Sequence, residues 1–156
     1  ARLLALAARE GAQVLPVEQT QVVELGEGSL ALFPPLGSGA SNESGLFALC
    51  SHGDFDVLIT GDADAFVEKM LVKYCPIPDI EVLVAGHHGS KSSSCQELLD
   101  AAAPEIALIS AGAGNSYGHP APETLERFAA LGAQVRRTDL EGTIVLFVRD
   151  GAVGIH

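Results

Sequence analysis

Three apolar runs along the chain each stop on a polar or imidazole group. They are Val57-Leu58-Ile59-Thr60-Gly61-Asp62, Val82-Leu83-Val84-Ala85-Gly86-His87-His88-Gly89-Ser90, and the run 105–110 that leads on to Asn115-Ser116-Tyr117-Gly118-His119-Pro120. Strands that deliver Asp or His at their C-terminal ends predict one site at the edge of a sheet. Around them the pattern is regular. Leu3, Leu4, Leu6 and Ala7 share one helical face, and Gly11 is placed to end that helix. Residues 13–17 read as a short strand. Residues 21–25 and 29–33 flank Gly26-Glu27-Gly28 as a β-hairpin. The Gly, Pro and Ser of residues 34–44 make a loop, and residues 46–50 and 55–60 form a second hairpin through residues 51–54.

From Asp62 onward strands and helices alternate. Ala65, Val67, Met70, Leu71 and Tyr74 support a helix ending near Cys75-Pro76. Residues 80–85 are an unbroken apolar strand of the kind buried on both faces. Ser92, Ser93 or Ser94 is placed to cap a helix over residues 96–103, which Pro104 ends. Pro122 suits the first turn of a helix carrying Leu125, Phe128, Ala129 and Leu131, with Gly132 as its stop. Strands over 134–138, 143–149 and 152–155 close the chain, the last two joined by an Asp150-Gly151 turn. Hairpins followed by β-α-β-α-β-α-β predict a layered α/β fold with a mixed sheet.

Composition narrows this reading. At 156 residues and 47% hydrophobic content, the chain fits one domain with a real core. No apolar run approaches the roughly 18–20 residues of a membrane helix. The first residues carry no initiator Met and read as a helix under way, as in a piece of a longer protein. A net charge of −11 disfavours nucleic-acid binding through a general basic surface, but not an enzyme whose metal ions supply positive charge locally. Cys50, Cys75 and Cys95 are an odd count without CxxC pairing. They read as buried or half-buried thiols rather than a disulfide framework or zinc ribbon.

The candidate chemistry sits at the strand ends. Asp62 can bridge two cations or cap the helix that starts near Asp64. His87 and His88 follow a buried strand, where a ligand role competes with a hydrogen-bonded structural pair. Ser90, Lys91 and Ser93, in a Ser-rich turn at a helix N-terminus, can meet a phosphate or serve as an ordinary cap. His119, at the exit of the turn begun by Asn115, can be a ligand, a proton donor or a supporting group. Arg137 with Asp139 reads more readily as a structural ion pair than as an anion contact. His52 reads as a solvated turn residue. Nothing places a nucleophilic Ser or Cys beside a base.

Together, Leu58-Ile59-Thr60-Gly61-Asp62, the Gly86-His87-His88-Gly89-Ser90 run, Ala107-Leu108-Ile109-Ser110, Asn115-Ser116-Tyr117-Gly118-His119-Pro120 and Arg137-Thr138-Asp139-Leu140-Glu141-Gly142-Thr143-Ile144 resemble the metallo-β-lactamase-like domain of the ComEC competence proteins. The resemblance runs over residues 42–148 with the motifs in family order. It implies an αββα sandwich with two metal ions, zinc or manganese, holding a hydroxide that attacks a phosphodiester. The matching bridging ligand would be Asp62, and a ligand of the HHGS motif would be His87 or His88, with His87 favoured. His119 would line the site beside Ser90, Lys91, Ser93 and Asn115, all meeting substrate. The implied setting is DNA uptake by a membrane protein, with this soluble domain on the outer face of the cytoplasmic membrane as a proposed nuclease.

One departure is plain. The superfamily's HxHxDH motif is absent: the only histidines are His52, His87, His88, His119 and His156. The chain therefore resembles the C-terminal part of the domain, with about three donor positions where a closed single zinc site alone uses about four. Alone it is expected to be inactive, to bind no metal, and to self-associate through exposed apolar strands. The rival expectations are a stand-alone hydrolase of the same fold acting on another ester, and a degenerate domain that binds DNA or a partner without chemistry.

Overall fold

Seven strands form one mixed sheet in the computed structural model of the chain, which describes residues 2–37, 44–149 and 152–156. Helix α1 (Arg2–Arg9) precedes two hairpins, β1 (Gln21–Leu25) with β2 (Gly28–Phe33) and β3 (Phe47–His52) with β4 (Phe55–Ile59). Then come α2 (Ala65–Tyr74), β5 (Val82–Val84), α3 (Gln96–Ala102), β6 (Ile106–Ile109), α4 (Pro122–Leu131) and β7 (Gln134–Arg137). A four-residue helix α5 (Thr138–Glu141) leads to a separate pair, β8 (Leu146–Arg149) and β9 (Ala152–Ile155). Strands β1 to β7 lie side by side in chain order. Pairing is antiparallel up to β4 and parallel from β4 to β7. This is the mixed α/β class that the pattern predicts.

The switch from antiparallel to parallel has a local cause. Two residues connect β3 to β4, which permits only an antiparallel return, whereas a helix separates each later pair and carries the chain back to the same starting edge. Register then lines up one row across the sheet: Val22, Ala31, Leu49, Leu58, Leu83, Ala107 and Val135. The middle of that row packs under Val67 and Leu71 of α2, Leu98 and Leu99 of α3, and Phe128 of α4 in one core. Burying side chains of this size stabilises by about 1.5–3 kcal/mol each.

Burial fades toward β1. Val22, Val23 and Leu25 are exposed, and the apolar face of α1 is bare, with Leu3 79% exposed. On the other face of the parallel strands Val57, Val84 and Leu108 are only partly covered, and Ile59 is exposed.

Several local expectations are corrected. Residues 13–17 form no strand; Val14 and Leu15 are exposed and have no neighbouring strand to pair with. Helix α3 is not capped by Ser92, Ser93 or Ser94: its cap position is Cys95, which makes no side-chain cap bond. Thr138 opens α5 rather than ending a strand, and β8 begins at Leu146 rather than residue 143. The Asp150-Gly151 turn and residues 38–43 of the long loop lie outside the described residues.

Candidate functional site

Parallel pairing sets the C-terminal ends of β4, β5 and β6 at one edge, and the chain knits them together there. After β4 the backbone turns at Gly61 (φ 59°), leaving Asp62 exposed. Asp64, not Asp62, caps α2, accepting the amides of Phe66 and Val67 at 3.0 and 3.1 Å. Asp62 therefore has no structural partner among the described residues. The His87 amide donates to the Gly61 carbonyl at 2.8 Å, tying the end of β5 to that turn. Gly86 has to be glycine, because a Cβ there would stand 2.9 Å from Thr60 Oγ1.

His87 and His88 both adopt left-handed backbone, with φ of 50° and 57°. For non-glycine residues this conformation costs about 1–2 kcal/mol each. The turn is held in place by its surroundings. A Cβ on Gly89 would lie 2.7 Å from Pro120 Cβ, and the Ala121 amide donates to the Gly89 carbonyl at 2.8 Å. The two histidine-bearing loops thus pack directly on each other.

That packing groups three imidazoles. His88 Nδ1 lies 2.7 Å from the Ser110 carbonyl, which can only accept, so Nδ1 carries a proton and donates it to that carbonyl. The His87 ring meets the His119 ring edge-on, centroids 5.8 Å apart. Asn115 fixes the His119 backbone from both sides: its Oδ1 accepts the His119 amide at 3.0 Å, and its Nδ2 donates to the His119 carbonyl at 2.6 Å. His119 Nδ1 is buried without a hydrogen-bond partner. Burial holds the His119 pKa below the ordinary histidine value, and the charges of His87 and His88 push the same way.

The Ser-rich turn is less open than its composition implies. Ser90 Oγ pairs with Ser92 Oγ at 3.0 Å, and the Lys91 side chain is exposed. Ser93 is buried, its hydroxyl donated to the Ala63 carbonyl at 2.7 Å, so it has no surface to offer a substrate.

Two residues that motif reading passes over shape this turn. Glu68, fully buried on α2, accepts the amides of Ser94 and Cys95, both at 2.8 Å. Arg127 on α4 donates to the carbonyls of Ser94 at 2.9 Å, Ser93 at 2.7 Å and Lys91 at 3.2 Å. Burial raises the Glu68 pKa, opposed by the amides of Cys95 and Ser94 and by the Arg127 charge. The one sequence signal was an acidic residue interrupting the apolar face between Val67 and Leu71.

Arg137 and Asp139 form a bidentate ion pair at 3.0 and 2.7 Å, which lowers the Asp139 pKa and supports the structural reading of that motif. Between them Thr138 Oγ1 bonds both the amide and the carbonyl of Ala111 at 2.9 Å, anchoring the segment after β6. His52 is exposed at the end of β3, away from these groups.

The donor set does not fit a metal ion by itself. Among the described residues no three His, Cys, Asp or Glu side chains gather closely enough to hold one. Asp62, His87 and His88 share an edge, fewer than the donors of any closed site.

Fold and site thus define an α/β protein in which His87, His88 and His119 collect at the C-terminal edge of a parallel strand quartet. No family model matches the chain. It is 30% identical over 145 residues to ComE operon protein 3 of Bacillus subtilis, a match covering 92% of this chain and 19% of that protein. It is 41% identical over 102 residues to competence protein ComA of Neisseria gonorrhoeae (65% of this chain, 15% of that protein). Recombination protein 2 of Haemophilus influenzae is 35% identical over 112 residues (71% and 14%). The chain is a homologue of these ComEC-family competence proteins and spans less than a fifth of their length.

Proposed function

We propose that the chain is the histidine-bearing part of a metallo-β-lactamase-like hydrolase domain in a DNA-uptake protein, and that the substrate bond is a DNA phosphodiester. The observation that carries this reading is the convergence of Asp62, His87, His88 and His119 on one edge, with both paired histidines held in costly backbone. Residues 1–156 act as one unit, the C-terminal portion of that domain. The half-covered face of β4 to β6 suits a sandwich whose second layer lies outside these residues.

A divalent metal, zinc or manganese, would need donors beyond Asp62 and one of His87 and His88. The chain's own residues have defined tasks. His119, neutral near pH 7 because its pKa is lowered, is fit to accept a proton at the substrate edge. Asn115 fixes the backbone that carries it. Lys91 is exposed on the turn that would face the phosphate, while Ser90 and Ser93 are buried and support that turn from within. No helix among the described residues is long and apolar enough to cross a membrane, so membrane attachment, with the domain on the outer face, would come from other parts of such a protein.

The test is metal-dependent DNA cleavage by the full-length protein that carries this segment. Asp62→Ala and His87→Ala should each lower it at least a hundredfold, on the scale of lost electrostatic catalysis. Cleavage unchanged by Asp62→Ala would overturn the proposal. The 156-residue chain alone should cleave nothing. That no three-donor group gathers among the described residues leaves one second reading, a non-catalytic DNA-binding domain; full-length protein that binds DNA without cutting it would establish that instead.

A further inference from the structure

A cavity of about 200 Å³ opens beside the histidines, lined by His88, Ala111, Gly112, Asn115, Tyr117 and His119. Its walls are of two kinds. Tyr117 and His119 present rings inclined by only 18°, with centroids 6.0 Å apart. The rest of the lining includes the small residues Ala111 and Gly112, and a Cβ placed on Gly112 would meet nothing within 4 Å. Tyr117 is 82% exposed, so one face of an aromatic ring stands open at the mouth of a space sized for a single flat ring system.

The polar groups of Asn115 and the Nδ1 of His88 are already engaged, and the unpartnered Nδ1 of His119 is itself buried. Asn115 Nδ2 donates to the Gly112 and His119 carbonyls, and its Oδ1 accepts the His119 amide. His88 Nδ1 is held by Ser110. A ligand would be met mainly by ring faces, which select for aromatic character rather than for an edge pattern. The charge balance points the same way. At −11 the chain gains little from phosphates alone, whereas stacking involves no net charge.

We propose that Tyr117 and this cavity form a stacking subsite for one unpaired nucleobase of a DNA strand, set beside the edge where His87, His88 and His119 meet. The subsite rests on the DNA reading above and adds to it that the strand is single at this point, because a paired base keeps its faces within the duplex stack. Recognition by faces makes the subsite tolerant of base identity.

Tyr74 and Tyr117 are the only tyrosines and there is no tryptophan, so Tyr74→Phe leaves Tyr117 as the sole emitter in its class. This variant is titrated at low salt with oligothymidylate, with an abasic oligonucleotide of equal phosphate number, and with a duplex. Oligothymidylate should quench Tyr117 emission and bind at least fivefold tighter than the other two. By anisotropy of a labelled oligothymidylate, Tyr117→Ala should weaken binding roughly 5- to 150-fold, the equivalent of about 1–3 kcal/mol per stacked base, and Tyr117→Phe should retain it. Equal affinity for base-bearing and abasic strands, or an unchanged Tyr117→Ala, overturns the subsite and leaves the DNA reading standing. Binding of neither strand overturns the subsite, and failure of the full-length protein to bind either strand overturns the DNA reading as well.

Discussion

Glu68 and Arg127 hold the same loop by complementary means: Glu68 accepts the amides of Ser94 and Cys95, and Arg127 donates to the carbonyls of Lys91, Ser93 and Ser94. One residue comes from α2 and the other from α4, so the turn that follows His87 and His88 is set by two helices distant in sequence. The loop has few regular backbone bonds of its own, and these side chains satisfy groups that helix and sheet leave open.

Removing the guanidinium should therefore loosen the turn before it unfolds the domain. Arg127→Ala is expected to cost about 1–3 kcal/mol, the scale of charged hydrogen bonds lost from partly buried acceptors. Arg127→Lys should recover only part of this, because an ammonium cannot span three carbonyls as a planar fork does. Urea midpoints give the cost, and amide exchange of residues 90–95 should rise more than exchange in β5. A midpoint within error of wild type would refute the clamp.

The buried carboxyl of Glu68 makes stability depend on pH in a definite direction. Its pKa in the fold lies above the ordinary glutamate value of 4.5, chiefly through burial. As pH rises past 4.5 the unfolded chain releases this proton first, so the contribution is full below that value and is lost as pH climbs through the folded pKa. Glu68→Gln removes the dependence, at a cost of about 1 kcal/mol in acid for an amide that loses its acceptor. The gap between wild type and Glu68→Gln should narrow from about pH 4.5 upward. A gap that widens with pH contradicts the assignment.

The left-handed backbone at His87 separates a side chain kept for its chemistry from one kept for stability. Its ring meets the His119 ring edge-on, while its backbone costs about 1–2 kcal/mol. His87→Gly should therefore leave the thermal midpoint unchanged or slightly raised. His87→Val, β-branched and poorly suited to positive φ, should lower stability by about 2 kcal/mol. If both variants lose the same stability, the imidazole and not the backbone sets the local energetics.

Much of this architecture was legible because it is local. Helix α2 spans the predicted apolar positions, Gly132 stops α4 with a φ of 84°, and the hairpins fall where short polar turns separate apolar runs. Residues 13–17 show the limit of that method, since a strand-like pattern forms no strand without a neighbour to pair with. The site divides in the same way. His87, His88 and His119 announce themselves at the ends of apolar runs. Glu68 and Arg127 act on backbone 26 to 36 residues away, a relation that no spacing rule encodes. Ser93 misleads for the converse reason: a Ser-rich turn looks solvated, yet this hydroxyl faces inward to Ala63.

Cys95 offers a direct probe of the clamp. Its amide is one of the two that Glu68 accepts, and its thiol pKa is pushed up to about 12, first by burial and then by the Glu68 charge, against a lowering by the Leu98 amide. At pH 8 the thiolate fraction is then roughly a thousandfold below that of an ordinary exposed thiol. Iodoacetamide labelling followed by peptide mapping should modify Cys50 and Cys75, both half-buried, well before Cys95. Because labelling of Cys95 waits on opening of the loop, Arg127→Ala should speed it selectively while leaving the order of the other two unchanged. Labelling of Cys95 as fast as Cys50 in the wild type would mean that the turn is already open, and that Glu68 and Arg127 do not hold it.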